Sequence, residues 1–555
     1  LMKRNIIILA VIVTASVSAN AQEQVLPPLK DLGIKEDLSL TGKLVIKEIR
    51  FDGNSVFSGE ELRDVISVDL SKPLSTEELE KIRKAVSQFY FNNGYVNSGA
   101  MIGEQDLSNG VLTVSVVEGV LDKINVMGTG WLRPSYVEDR IRSGVKKPLS
   151  MEDLKRSLEF VRRDEKIRKI NTALLPGDEL GQSHLDVIVT EHKLFDAGIG
   201  LSNRRPPSVG AEEAEVYIGT KNLTSLGDTL RLNYTFTDEG MKEVDFDGAD
   251  NYAISYSLPL HTSGTTLEFG TVRSDYVILE EPFDTLNIQS DTQMVSVGIR
   301  QPIYNDLKHE FSVSLKGERR QSKTMVSGMP FSISPGSTDG MTRIAALRVS
   351  PEYVYRSSKR VIAVRTTLSF GLDAQDPVLD ESYMEPEFFS WLTQASWVEA
   401  IGSSENLFAL KSYYQHTDER LISMEQFSLG GMNTIRGYRE NQIIRDNAFS
   451  ISPEVRIPIL RDRYTKPIMH LIPFFDYGIA WNAEGDRDRE SIYSLGLGLT
   501  YKPTDYVNMS LYWGYAFEDF DVKDDDDLQD HGIHFQIRIG TDFLDPRKDV
   551  RPDKG

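Results

Sequence analysis

Apolar and polar residues alternate with a period of two through much of the chain beyond residue 193. In residues 228–238 (DTLRLNYTFTD), Leu230, Leu232, Tyr234 and Phe236 share one face, and Arg231, Asn233, Thr235 and Thr237 share the other. In residues 508–517 (NMSLYWGYAF), Met509, Leu511, Trp513, Tyr515 and Phe517 line up in the same way. Residues 532–543 (GIHFQIRIGTDF) set Ile533, Phe535, Ile537, Ile539 and Phe543 against His534, Gln536, Arg538 and Asp542. Each pattern predicts a strand with one apolar face. Such segments begin near Phe195, Ala214, Asp228, Asn251, Thr265, Thr292, His309, Arg343, Val361, Glu387, Leu407, Ser450, His470, Ser491, Val507 and Gly532, about sixteen strands in all. A soluble sandwich would turn the apolar faces inward, whereas a membrane barrel turns them to lipid. Aromatics near strand ends (Tyr252, Tyr256, Tyr353, Tyr355) and short turns alternating with long polar loops favour the barrel. So does the need to leave no open sheet edge in lipid.

Residues 44–191 read differently. Residues 43–51 (KLVIKEIRF) alternate as a strand and end at the turn Asp52-Gly53-Asn54, and residues 59–67 suggest a short helix. In residues 75–93, Leu79, Ile82, Val86 and Phe89 recur at spacings of three and four, the apolar face of a helix. It opens with the capping pair Ser75 and Glu78 and can stop at Gly94. Strands at 95–102 and 111–118 complete the order β-α-α-β-β. The order recurs as strand 121–127, helices 134–143 and 150–166 (with a looser cap in Ser150 and Asp153), and strands 169–175 and 183–191. LSKPLS at 70–75 is echoed by KKPLS at 146–150. Residues 44–118 and 119–192 are thus expected to be two copies of one α/β module. Residues 193–543 are expected to form an all-β transmembrane barrel of about sixteen antiparallel strands.

The first residues carry Lys3-Arg4, an apolar run from Ile6 to Val13, and small residues through Ala19-Asn20-Ala21, the layout of a secretory signal. Residues 1–21 are therefore set aside. Residues 22–43, interrupted by Pro27-Pro28, read as a linker or short helix. A helix over residues 29–38 would extend about 15 Å, too short to plug a barrel from end to end. Residues 544–555 read as a polar tail following the last aromatic, Phe543. No run of eighteen apolar residues follows the signal, so helical spans are not expected. The formal net charge of −21 argues against a nucleic-acid partner. Cysteine is absent, so burial or a closed hydrogen-bond network must supply the stability. Without a nucleophile elbow, a phosphate-binding loop or HExxH, neither an enzyme nor a cofactor is expected. The eight histidines lack metal-ligand spacing, and His531 and His534 read as solvated residues at a strand start. Residues 519–530 (DFDVKDDDDLQD) read as a solvated acidic loop. The run from Asp524 to Asp527 lacks the glycine and terminal glutamate of a calcium loop.

One stretch breaks the alternation. Residues 430–440 (GGMNTIRGYRE) hold three glycines and two arginines within a predicted loop, 422–449. Ile435-Arg436-Gly437-Tyr438 resembles a V/I-R-G-F/Y motif, and Phe474-Phe475-Asp476-Tyr477-Gly478 an F-x-D-x-G strand motif. Glu454-Val455-Arg456-Ile457-Pro458 is similar to E-x-R-x-P. In this order, behind two modules, they resemble the hemolysin secretion/activation family, the outer-membrane transporters of two-partner secretion. More widely, they resemble the superfamily of the outer-membrane barrel-assembly insertase. The resemblance implies POTRA modules in the periplasm and a barrel in the bacterial outer membrane. It also implies a secreted partner protein, large and β-helical, of the hemolysin, adhesin or contact-dependent toxin type. That partner would be captured unfolded by the modules and passed through the lumen to the cell surface. Outer-membrane lipid would surround the wall, and the barrel-assembly machinery would insert it. An insertase of the same superfamily, or a passive porin, is the alternative. The resemblance names neither the cargo nor the oligomeric state.

The pleat gives these motifs a geometry. Along 470–480, Ile472, Phe474, Asp476 and Gly478 share one face. A carboxylate toward lipid is costly, so Asp476 is expected in the lumen. Inward Gly478 and Gly437 would let a loop backbone approach closely. Loop 422–449 is then expected to fold back into the barrel, with the Arg436 fork meeting Asp476. Tyr438 would pack on the inner wall, and Glu454 and Arg456, two apart on the preceding strand, would join the network. The plain alternative is a solvated loop arginine. In each module the second strand, near 96–102 and 169–175, is expected to be the sheet edge open to strand addition.

Overall fold

The computed structural model describes residues 45–237, 250–280, 284–333, 336–373, 378–379, 385–402, 405–484, 488–520 and 527–540. The segments 1–21, 22–43 and 544–555, Phe543 and residues 521–526 of the acidic stretch lie outside the described residues. The chain divides into two units, Leu1–His192 and Lys193–Gly555.

The first unit holds the two modules. In the first, β1 (Glu48–Asp52), α1 (Gly59–Asp64), α2 (Thr76–Asn92), β2 (Gly99–Met101) and β3 (Val111–Val117) follow in order. Strand β3 is central, pairing parallel with β1 and antiparallel with β2. Ser75 accepts from the Glu78 amide while Glu78 accepts from that of Ser75, a reciprocal cap that starts α2. Its buried face, Ile82, Val86 and Tyr90, packs on Leu112, Val114 and Ile49. The second module repeats the plan with β4 (Val120–Met127), α3 (Pro134–Gly144), α4 (Met151–Arg162), β5 (Ile167–Pro176) and β6 (Gln182–Glu191), and β6 is central.

Two local expectations are corrected. Ser150 caps α4 through the Glu152 amide at 3.2 Å rather than in a box with Asp153, whose carboxylate pairs with Arg156 at 3.9 Å. Strand β2 keeps three residues of the expected eight. The reason is the junction to the second module, which takes the polar groups just before β2. Buried Asn97 donates to the Gly181 carbonyl and to Ser183 Oγ, both at 3.1 Å, and Ser98 Oγ accepts from the Gly119 amide at 2.8 Å.

The repeat is also visible in a shared turn. Gly53 and Gly128 follow the first strand of each module with φ of +85° and +82°. A Cβ there would lie 2.4 and 2.5 Å from the carbonyl oxygens of Val116 and Val189, so no other residue fits without a shift. A glutamate closing each central strand, Glu191 as its last residue and Glu118 just after it, gathers the amides beyond that turn. Glu118 accepts from Ser55 and Val56 at 2.7 and 2.9 Å, and Glu191 from Gly130 and Leu132 at 2.7 and 3.0 Å. Burial pushes the Glu118 carboxyl up, but bonds from Ser55, Val56 and Tyr90 outweigh it and hold the carboxyl below the usual glutamate range.

The second unit is a closed antiparallel barrel of sixteen strands. These are β7 (Phe195–Ser202), β8 (Glu213–Thr220), β9 (Thr229–Thr237), β10 (Asn251–Pro259), β11 (Thr266–Val277), β12 (Ile288–Asn305) and β13 (His309–Val326). After the two-residue strand β14 (Met329–Pro330) come β15 (Met341–Arg356), β16 (Arg360–Leu372), β17 (Phe389–Ala400) and β18 (Leu407–His416). Then β21 (Asn447–Arg461), β22 (Pro467–Trp481), β23 (Glu490–Thr504), β24 (Val507–Ala516) and β25 (Ile533–Gly540) close the ring on β7. Within the connection 417–446 lies a separate ribbon, β19 (Phe427–Leu429) with β20 (Ile443–Arg445). The strands begin within a few residues of the positions the alternation gives. Leu495, Leu497, Leu511 and Trp513 stand exposed on the outer face, where lipid would cover them, while Ser494, Asp476 and Glu454 are buried on the inner one. Tight turns such as 306–308, 357–359 and 505–506 lie at one end, and the long connection 417–446 leaves from the other. Among the described residues no helix is long and apolar enough to cross a membrane.

Candidate functional site

The connection 417–446 folds into the lumen, and the next strand begins at Asn447, two residues earlier than the expected end of the loop. Its tip is Ile435-Arg436-Gly437-Tyr438. Arg436 donates to Asp476 three times: from its backbone amide at 2.9 Å, from Nε at 2.8 Å and from Nη2 at 2.8 Å. Its Nη1 donates to Glu454 Oε2 at 2.8 Å, and Arg456 Nε donates to the other Glu454 oxygen at 2.8 Å. The guanidinium also lies 3.7 Å above the Phe474 ring and 5.1 Å from that of Tyr512. Arg436 is 5% exposed and Asp476 is fully buried, so both charges have left water. Desolvating an ion costs several kcal/mol, and the site offsets this with a bidentate carboxylate, a second carboxylate and an aromatic face.

The neighbouring residues fix the approach. Ile435 and Tyr438 pack with Leu429, Ile443, Ala448, Ala480 and Ile492. Full burial of one such aliphatic side chain stabilises by about 1.5–3 kcal/mol. Gly437 has φ of +97°, and a Cβ there would sit 2.9 Å from the Gly514 carbonyl of β24. A Cβ on Gly478 would lie 3.0 Å from Ile435 Cδ1. Tyr438 Oη donates to the Tyr493 carbonyl at 3.0 Å and accepts from the Glu518 amide at 3.0 Å. Four segments distant in sequence, 427–443, 448–456, 474–480 and 492–518, thus meet in one buried cluster.

The model of the haemolysin secretion/activation protein family, ShlB/FhaC/HecB, matches residues 181–501, and that of the ShlB-type POTRA domain matches residues 44–119. The chain belongs to the haemolysin secretion/activation family. It is similar to the outer membrane transporter CdiB of Dickeya dadantii, 22% identical over 415 residues, which cover 73% of this chain and 71% of that protein. It is also similar to the heme/hemopexin transporter protein HuxB of Haemophilus influenzae, 20% identical over 470 residues, 80% of this chain and 78% of the other. The solved structure of CdiB from Escherichia coli shares the fold, with a TM-score of 0.66, 18% identity and coverage of 92% of this chain and 93% of that one. This family member is an outer-membrane transporter of two-partner secretion, with its POTRA modules in the periplasm. The family's members are transporters rather than enzymes.

The transporter's loop is held by residues that sequence reasoning passed over. His534 is fully buried rather than solvated, and its Nε2 lies 3.1 Å from the Tyr438 carbonyl oxygen. Alternation had set it on the inner face of β25, which was the available signal. Arg439 forms ion pairs with Asp530 and Glu280. Gln529 accepts from the Glu440 amide at 2.8 Å and donates to the carbonyls of Asn203 and Arg205 at 2.9 and 2.7 Å. Asp527 caps the single turn Leu528–His531 that carries Gln529 and Asp530. The last residues of the acidic stretch therefore form part of the loop's seat.

Proposed function

We propose that the docked loop is the movable element of this transporter, and that release of its tip from β21–β25 opens the route for the secreted partner. The observation that carries this reading is the buried Asp476–Arg436–Glu454 set. A contact that never has to open is served as well or better by apolar side chains, since replacing a buried ion pair with them is often neutral or stabilising. A latch of charges, by contrast, can be taken up by water in the lumen when it lets go. The partner reaches the modules unfolded and β-rich, and is a large β-helical protein in its secreted form. Strand β5 is the better capture edge of the two expected. It is ten residues long and largely exposed, whereas β2 has three residues beside the junction. Outer-membrane lipid covers the barrel's apolar outer face, and the barrel-assembly machinery inserts it.

The test is Arg436→Ala in a strain that makes the partner. Because the tip must seat again between passages, secretion should fall strongly while barrel folding and membrane insertion stay near the parent's. Normal secretion by this variant would overturn the reading. Deleting the transporter should remove one secreted protein, whereas an insertase would lower many outer-membrane proteins together.

A further inference from the structure

The loop is fastened at a second place, on a different part of the wall and on strands the motifs do not include. Glu425, nine residues past the end of β18, accepts from Arg348 Nη2 of β15 at 2.7 Å. The same Arg348 nitrogen donates to Glu318 of β13 at 3.0 Å, and its Nη1 donates to Ser369 Oγ of β16 at 2.6 Å. Arg320 of β13 donates to the Met424 carbonyl at 2.6 Å and pairs with Glu318 at 2.5 Å. Beneath these charges Leu421 and Ile422 are buried against Ile344, Ala346 and Phe388. In the ring of sixteen, β15 stands four and five strands from β21 and β22, which carry the tip's carboxylates.

Between the two fastenings the chain is cross-bonded to itself. Ribbon β19–β20 pairs Phe427 to Leu429 with Arg445 to Ile443. Beyond it, Thr434 Oγ1 donates to the Gly430 carbonyl at 2.8 Å, and the Met432 amide donates to Glu440 Oε1 at 2.7 Å. At the foot of the ribbon one carboxylate, Asp446, accepts from the Leu421 amide at 3.0 Å, from Gln426 Nε2 at 2.9 Å and from the Ala483 amide at 3.0 Å. Gln415 Nε2 ties the carbonyls of Glu425 and Asp446 together at 3.0 Å each.

We infer that the loop works as a lever: Glu425, Arg348, Arg320, Glu318 and Asp446 form a root clamp that stays closed during transport, and ribbon and tip swing about it. The inference rests on the reading that the tip is released. Arg348 and Glu425 are then positioning residues, which return the tip to its seat after each passage. A loop with an ordinary flexible root would need neither a two-arginine clamp nor a carboxylate gathering three donors across the ribbon's foot.

The chain has no cysteine, so engineered pairs report cleanly. One variant carries Ile422→Cys with Ala346→Cys at the root, and the other Ile435→Cys with Gly478→Cys at the tip. Each is oxidised in cells, and bridge formation is read from reducible gel mobility. The expected result is secretion near the parent's with the root bridged and loss of secretion with the tip bridged, restored by reductant. Reductant-reversible loss with the root bridged would overturn the lever, because the whole loop must then leave. Normal secretion with the tip bridged would instead overturn the release reading itself. As a second measurement, Arg348→Gln should raise open-channel occupancy severalfold in planar bilayers at unchanged heat-modifiable mobility, and Arg348→Lys should bring it part of the way back. Parent-like recordings from Arg348→Gln would also count against the clamp.

Discussion

Replacing Asp476 by asparagine isolates the charge in the tip's latch while keeping the side chain's shape. Asp476 is fully buried and accepts three hydrogen bonds from Arg436. Asparagine keeps one oxygen for these donors and turns an NH2 group toward the guanidinium, so at least one Arg436 donor loses its acceptor. Breaking a buried ion pair by removing one partner costs about 3–5 kcal/mol. Glu454 stays on Nη1 at 2.8 Å, which favours the low end of that range. At 1.4 kcal/mol per factor of ten, about 3 kcal/mol lowers the ratio of docked to released tip roughly 100-fold. Single-channel recording of the purified protein in planar bilayers should therefore show a large rise in the time spent in the high-conductance state. Partner secretion should fall as it does in Arg436→Ala. The control is Glu490→Gln, which breaks the pair with Arg445, whose side chains are 29% and 44% exposed. An exposed pair contributes about 0–1 kcal/mol, so this variant should match the parent. Asp476→Asn with parent-like conductance and secretion would refute the latch, because a fully buried carboxylate holding three donors is not energetically silent.

Other consequences are checked more simply. Gly53→Ala forces an L residue to φ of +85° against the Val116 carbonyl, and should lower the melting temperature of the module transition in the full-length protein. Because the Glu118 carboxyl titrates below the ordinary glutamate range, its contribution is complete above that range and disappears as pH falls through the folded value. Glu118→Gln should therefore flatten the acid limb of the module's stability against pH, seen by protease sensitivity, and leave the neutral region nearly level. Leu497 is exposed on the outer face of β23, and Leu497→Arg should cost about 2–4 kcal/mol of barrel stability if it sits near the bilayer centre. Denaturant unfolding in lipid vesicles would measure it, and no loss would argue against lipid on that face.

Period-two alternation identified the strands because each has one face toward lipid and one toward the lumen, and that asymmetry is written locally. The helix period and the Ser75–Glu78 cap identified the modules for the same reason: each depends on residues three or four apart. Alternation also set Asp476, Phe474 and Gly478 inward, and spacing set Glu454 and Arg456 on one face. What lay beyond reach were contacts made by closure. Arg348 and Glu425 are 77 residues apart, and neither stands in a recognisable pattern. They meet because β15 comes round to face the loop once the sixteen strands close. His534 carried the alternation of its strand, yet only the loop's path over it turned an inward histidine into a buried one. Strand β2 lost most of its expected length to Asn97 and Ser98, whose partners belong to the second module and its link. Sequence determined which face each residue takes, since the pleat needs only near neighbours. The tertiary structure decided which faces meet across the lumen, since that depends on how the ring closes and where the loop returns.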